Sequence, residues 1–136
     1  MRVIRPLVML AMVSGLVACS GAPGESQLEH LLQQQFDQQY QDLIDVNDLT
    51  KHNGWADSEQ HYTAEVTYNI EFKQSFKAYL DQQTAKPGNP LEKVASGMSA
   101  GLLKLQYGDF NAGDTYQVKQ QTLQLRKTEN GWALAN

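Results

Sequence analysis

Cysteine is almost missing from this chain: Cys19 is the only one among 136 residues. An intramolecular disulfide is therefore excluded, and so is any zinc motif that draws on two or more thiolates. Histidine is scarce as well. His30, His52 and His61 fall into neither H-x-x-x-H nor H-E-x-x-H spacing, so the zinc-hydrolase signature is lacking. There is no G-x-S-x-G elbow and no phosphate-binding glycine loop. The apolar run from Leu7 to Val13 falls far short of the roughly 20 residues needed to span a bilayer. Positive charge is in deficit, with 11 basic against 15 acidic residues and a net charge of −4. A surface of that sign repels phosphate backbones, and nucleic acid is not an expected partner.

The amino terminus does carry a signal. Arg2 and Arg5 precede the apolar run, and Ser14 and Gly15 lead into Leu16-Val17-Ala18-Cys19. A basic start, a short apolar stretch and small residues at the cut are the pattern of an export signal. The tetrapeptide resembles the lipobox of bacterial lipoproteins, with Leu16, Val17, Ala18 and Cys19 in the successive positions. That resemblance implies cleavage before Cys19, a diacylglycerol on its thiol and an acyl chain on the new amino terminus. Several acyl chains give the durable hold on a membrane that one chain does not. It also implies sorting by the next residue. Ser20 stands where Asp would favour retention in the inner membrane, so the expected location is the periplasmic side of the outer membrane, with the inner membrane as the alternative. Loss of residues 1–18 leaves 118 residues, enough for one domain, and removal of Arg2 and Arg5 moves the charge from −4 to −6. The expected organisation is a signal peptide over 1–18, a lipidated flexible tether over 19–25 and a single domain over 26–136.

Ser26 and Glu29 have the spacing of a capping box at a helix start. Leu28, Leu31, Leu32, Phe36, Tyr40, Leu43 and Ile44 then form one stripe, which predicts a long amphipathic helix of about five turns. Its other face is rich in Gln and Asp. A strand is expected from about Val46, reversing at Asn53-Gly54, the favoured centre of a tight hairpin. From Tyr62 to Lys73 apolar and polar residues alternate without exception, which predicts a strand with one face on the core and one in water. Phe76, Tyr79 and Leu80 suggest a short helix before the Pro87-Gly88-Asn89-Pro90 loop.

A second stripe follows in Leu91, Val94, Ala95, Met98, Leu102 and Leu105. Gly97 and Gly101 within it are expected to permit close packing on the sheet. Asp109 and Asn111 sit in a loop with oxygen donors, but its glycine falls one position early and Gln120 occupies the twelfth position, so calcium is not expected. In the last long strand Tyr116 and Val118 share one parity, and Leu123 and Leu125 the other. The phase change predicts a β-bulge near Gln120 or Gln121. A hairpin at Glu129-Asn130-Gly131 returns the chain through Trp132 and Leu134. Asn53-Gly54-Trp55-Ala56 and Asn130-Gly131-Trp132-Ala133 echo one another, and both tryptophans are expected as core anchors.

The fold expected is α+β, a long amino-terminal helix on a curved antiparallel sheet with helical segments between two hairpins. This order of elements resembles that of NTF2-like and cystatin-like domains, whose concave sheet face often forms a pocket. The chemistry found is thin. His52 and His61 flank the first hairpin with Asp57 and Glu59 nearby, but they read as exposed, and Glu65 and Glu71 read as a solvated sheet face. The expected function is a non-catalytic envelope lipoprotein that binds another envelope protein through a sheet edge or polar sheet face. No cofactor and no metal are expected beyond the lipid on Cys19. The alternative is an NTF2-like carrier or enzyme with a pocket between helix and sheet. An open sheet edge would favour the first, and a pocket with converging ionisable groups the second.

Overall fold

The computed structural model describes residues 21–85 and 87–135. In chain order the elements are α1 (Glu25–Tyr40), β1 (Ile44–Ala56), β2 (His61–Phe72), α2 (Phe76–Ala85), α3 (Pro90–Tyr107), β3 (Thr115–Thr128) and β4 (Gly131–Leu134). The four strands form one open sheet in the order β1-β2-β3-β4, every neighbouring pair antiparallel. The protein is therefore α+β, with α2 and α3 placed between the second and third strands.

The alternation read from the sequence sets the sheet. Tyr62, Ala64, Val66, Tyr68, Ile70 and Phe72 are all buried on one face of β2, where α1 adds Leu28 and Leu32 to the same core. Burial of a side chain such as Ile70 or Phe72 stabilises the fold by about 1.5–3 kcal/mol. At the far end of β2, Phe72 stacks on Phe110 at 3.8 Å, and Phe76 meets Phe110 edge-on at 5.8 Å. These rings tie the start of α2 and the loop before β3 to the end of the sheet. The phase change in β3 is a bulge: pairing steps from Val66↔Gln121 to Tyr68↔Val118, and Gln120 takes φ 55.

Helix α1 is shorter than its stripe implies, 16 residues, because Gln41 adopts φ 58 directly after Tyr40. Leu43 and Ile44 are completely buried, but they belong to the turn and to the first residue of β1. Nor does Ser26 cap the helix. The N-cap is Gly24, with no side-chain bond, and a capping box occurs instead on α3, between Asn89 and Glu92.

The first hairpin turns later than the sequence implies. Asn53 and Gly54 lie inside β1, opposite Glu65 and Ala64, and the chain reverses at residues 57–60, where Asp57 and Ser58 donate backbone bonds to the His61 carbonyl. Gly54 is needed for another reason. A Cβ there would collide with the Tyr62 ring, so the residue permits a close cross-strand approach. Trp55 is 42% exposed, not a core anchor, and its indole N–H donates to Asp57. The second copy of the string behaves as expected: Gly131 has φ 101 and Trp132 packs against the core.

The largest departure is α3. Its stripe does not face the sheet: Leu91, Val94, Met98, Leu102 and Leu105 are exposed, and the buried residues are Ala100 and Leu103. A Cβ on Gly97 or Gly101 would meet nothing within 4 Å, so neither glycine serves packing on the sheet.

Candidate functional site

The backbone groups at the two sides of the sheet meet different surroundings. In an antiparallel strand alternate residues point their N–H and C=O away from the neighbouring strand. On β1 those outward groups are taken by side chains of α1. Gln33 donates to the Ile44 carbonyl at 2.7 Å and accepts from the Val46 N–H at 2.7 Å. Glu29 accepts from Leu49 N–H at 3.3 Å, and Glu25 from Lys51 N–H at 3.1 Å. Three residues at four-residue spacing lie along one line of a helix, so a single polar stripe covers the edge.

Among the described residues, strand β3 has no such cover over its first half. Strand β4 pairs only with residues 125–128, and Ala135 N–H extends that contact to the Gln124 carbonyl. The Lys127 N–H points the other way, to the Gln60 carbonyl. From this alternation Thr122 points its backbone outward, and beyond the bulge Gln117 does the same. Among the described residues, nothing pairs with the outer edge from Thr115 to Leu123. The bulge and Lys119 break the regularity of this edge, which hinders two such edges from pairing with each other.

Hollows lie on both faces of that edge. On the helix side a groove of about 610 Å³ opens beside Phe36, Tyr68, Tyr107, Tyr116, Val118 and Gln121. On the opposite face a depression of about 540 Å³ is lined by His52, Glu65, Thr67, Lys119, Gln120 and Thr122. Burial pushes the Tyr68 hydroxyl up to about 12, with Tyr107 adding to the effect. Burial likewise pushes Tyr107 up to about 12, helped by Tyr40 and Tyr116. Both phenols are protonated near neutral pH. Tyr68 donates its proton to the Gln121 side-chain oxygen, tying β2 to β3 just after the bulge. The groove thus offers hydroxyls and aromatic faces.

The residues singled out in the sequence are distributed as follows. Leu16, Val17, Ala18, Cys19 and Ser20 lie outside the described residues. The stretch that follows them is bound to the domain rather than loose. Pro23 is fully buried, its carbonyl accepts from Lys51 Nζ at 3.2 Å, and the Gly21 carbonyl accepts from the Trp132 indole. The part of the expected flexible tether from Gly21 to Gly24 is therefore docked, at the end of the sheet that carries the β1–β2 hairpin. His52 and His61 are not brought together: His52 bonds Thr67 Oγ1 at 2.8 Å, and His61 bonds Ser58 Oγ at 3.0 Å. In the loop before β3, Asp114 accepts from Asn111 N–H, and Asp109 pairs with Lys104. Among the described residues no cluster of three metal-ligating side chains occurs. Sequence reading missed the role of Gln33, which lies on the helix face read only as rich in Gln and Asp. It expected a sheet edge without placing it on β3, although the parity change at Gln120 marked the place. No protein-family model, curated protein or solved structure matches the chain.

Proposed function

We propose that this protein is a membrane-anchored bacterial envelope lipoprotein whose domain binds an extended segment of another envelope protein along the outer edge of β3. The carrying observation is the stretch from Thr115 to Leu123, which nothing covers among the described residues and which has a hollow on each face. Strand addition uses such a surface fully: outward backbone groups supply affinity, and pockets on alternating faces select side chains. Gln117 and Thr122 offer the backbone groups. Tyr107 and Tyr116 on one face suit an apolar side chain, and Glu65 with Lys119 on the other suits a polar one.

The anchor in this reading is the lipid on Cys19, with Leu16, Val17 and Ala18 as its recognition sequence and Ser20 directing the protein to the outer membrane. Docking of Gly21 against Trp132 then holds the domain within a few residues of the bilayer. Helix α1 on a bulged antiparallel sheet supports the NTF2-like or cystatin-like expectation at the level of element order. The second reading, a carrier or enzyme, draws on the groove beside Tyr68 and Tyr107. It is the weaker one, because phenols that ionise only near pH 12 act as hydrogen-bond donors rather than as bases at neutral pH.

The test is palmitate labelling of the wild type and Cys19→Ser, followed by affinity capture from envelope fractions with chemical cross-links mapped to residues. Label on the wild type alone and cross-links concentrated at β3 are the expected results. An unlabelled wild type removes the anchor, and cross-links confined to other faces remove the β3 edge.

A further inference from the structure

Helix α3 keeps its apolar side in water. Leu91, Val94, Met98, Leu102 and Leu105 are between 59% and 85% exposed and fall on one line of the helix. From Leu91 to Ser99 only Ser96 is even half-buried. A helix exposed nearly all round has little to hold it in isolation. The side opposite the stripe is already in use, with Ala100 and Leu103 buried where α3 meets α2. Something else covers the stripe, and three features select its identity.

The first is order. The five residues are spaced 3, 4, 4 and 3, which reads identically in both directions about Met98. A two-fold axis at Met98 sets Leu91 against the partner's Leu105, Val94 against the partner's Leu102, and Met98 against the partner's Met98. The stripe is thus complementary to itself, as an isologous contact requires. Glu92, Lys93 and Lys104 all lie away from it, so no charge is brought into such a seam.

The second is space. Glycine inside a helix costs stability, and neither Gly97 nor Gly101 is explained by a neighbour among the described residues. Both flank the stripe on the same side, where they let another helix approach closely. A lipid surface would make no use of that. The third is size. The exposed parts of the five side chains amount to on the order of 600 Å² per copy, or about 1,200 Å² in total, the lower end of stable interfaces.

Placement argues against the bilayer as well. The described chain begins at Gly21 beside Trp132, whereas α2 starts and α3 ends at the opposite end of β2, where Tyr107 meets Phe72 and Phe76 meets Phe110. Twelve residues of strand separate those ends by roughly 40 Å. No helix among the described residues is long and apolar enough to cross a membrane.

We infer that α3 pairs antiparallel with α3 of a second copy of this chain, across a two-fold axis at Met98. This contact uses a different set of α3 residues from Gln106 and Tyr107, which line the groove beside the β3 edge.

The full chain with Met98→Cys, oxidised mildly in its native membranes, tests the pairing, with wild type and Lys93→Cys as controls. Met98→Cys is expected to give a disulfide-linked species of twice the chain mass, at least ten times the yield from Lys93→Cys. Adding Leu105→Glu, at a position 85% exposed and so harmless to the fold, is expected to lower that yield about tenfold with an unchanged circular dichroism spectrum. Equal yields from the two cysteines, or a yield indifferent to Leu105→Glu, overturn the pairing. So does a Met98→Cys thiol shielded from a water-soluble maleimide without self cross-linking, which would mean that lipid or another protein covers the helix.

Discussion

Along β1 the preceding helix lends Glu25, Glu29 and Gln33 to the outward backbone groups of Lys51, Leu49, Val46 and Ile44, while along β3 the outward groups at Gln117 and Thr122 have no partner among the described residues. Both are edges of one sheet, with the same backbone chemistry. Both strands carry bulges, and the difference is that one has a helix whose polar stripe runs beside it, and the other has two flanking hollows. Native sheets cover or blunt edges because an uncovered edge recruits other strands. Where one edge is sealed so thoroughly, an uncovered stretch on the other is the place where recruitment can serve a function.

The largest effect on this comparison is expected from alkali. Tyr68 and Tyr107 ionise near 12 in the folded protein against an ordinary value near 10. Their contribution to stability is fully present below pH 10 and is lost as pH rises from 10 to about 12, because the unfolded chain releases those protons first. Loss of the Tyr68 proton also removes the bond to Gln121 that ties β3 to β2. Denaturant midpoints should fall steeply over that interval, together with a late phase of tyrosinate absorbance. A stability independent of pH above 10 would contradict this.

Opening the sealed edge comes next. Gln33→Leu strips partners from the Ile44 carbonyl and the Val46 N–H together, and a loss of about 2–3 kcal/mol is expected by urea unfolding. The same variant should associate in a concentration-dependent way, since β1 then leaves outward backbone groups unpartnered as β3 does. Glu29→Ala removes a single longer bond to Leu49, so about 1 kcal/mol is expected.

That division between residues explains what the sequence discloses and what it conceals. The buried face of β2 is legible because alternation is a property of neighbouring residues: Tyr62 through Phe72 need no partner to declare their parity. The bulge at Gln120 is legible for the same reason. Glu29 misleads because its carboxylate has two destinations. Locally it completes a capping box with Ser26, but a backbone N–H 20 residues away takes it instead. Asn53-Gly54 misleads likewise. The pair has turn chemistry, yet pairing with Glu65 and Ala64 and the close approach of Tyr62 keep it in the strand. Helix α3 is the instructive failure: an apolar stripe fixes the period of a helix, but it does not say which molecule the stripe faces.

The smallest stability effect is expected from Thr122→Pro. The Thr122 N–H points out of the sheet, so proline there removes no ladder bond and should cost no more than about 0.5–1 kcal/mol. Leu123→Pro, one residue on, removes a bond to β2 and a fully buried side chain, and should be far more damaging. Equal costs at the two positions would mean that the outward direction is assigned wrongly.

Because Thr122→Pro leaves the fold in place while blocking a strand from adding at β3, it gives the most direct measurement of the central claim. Envelope proteins captured by the wild type and by Thr122→Pro, each with Cys19 intact, are compared quantitatively after matched membrane recovery. The expected result is one partner whose yield falls at least tenfold in the variant. Recovery of every captured protein in equal amounts from both would contradict binding at the β3 edge.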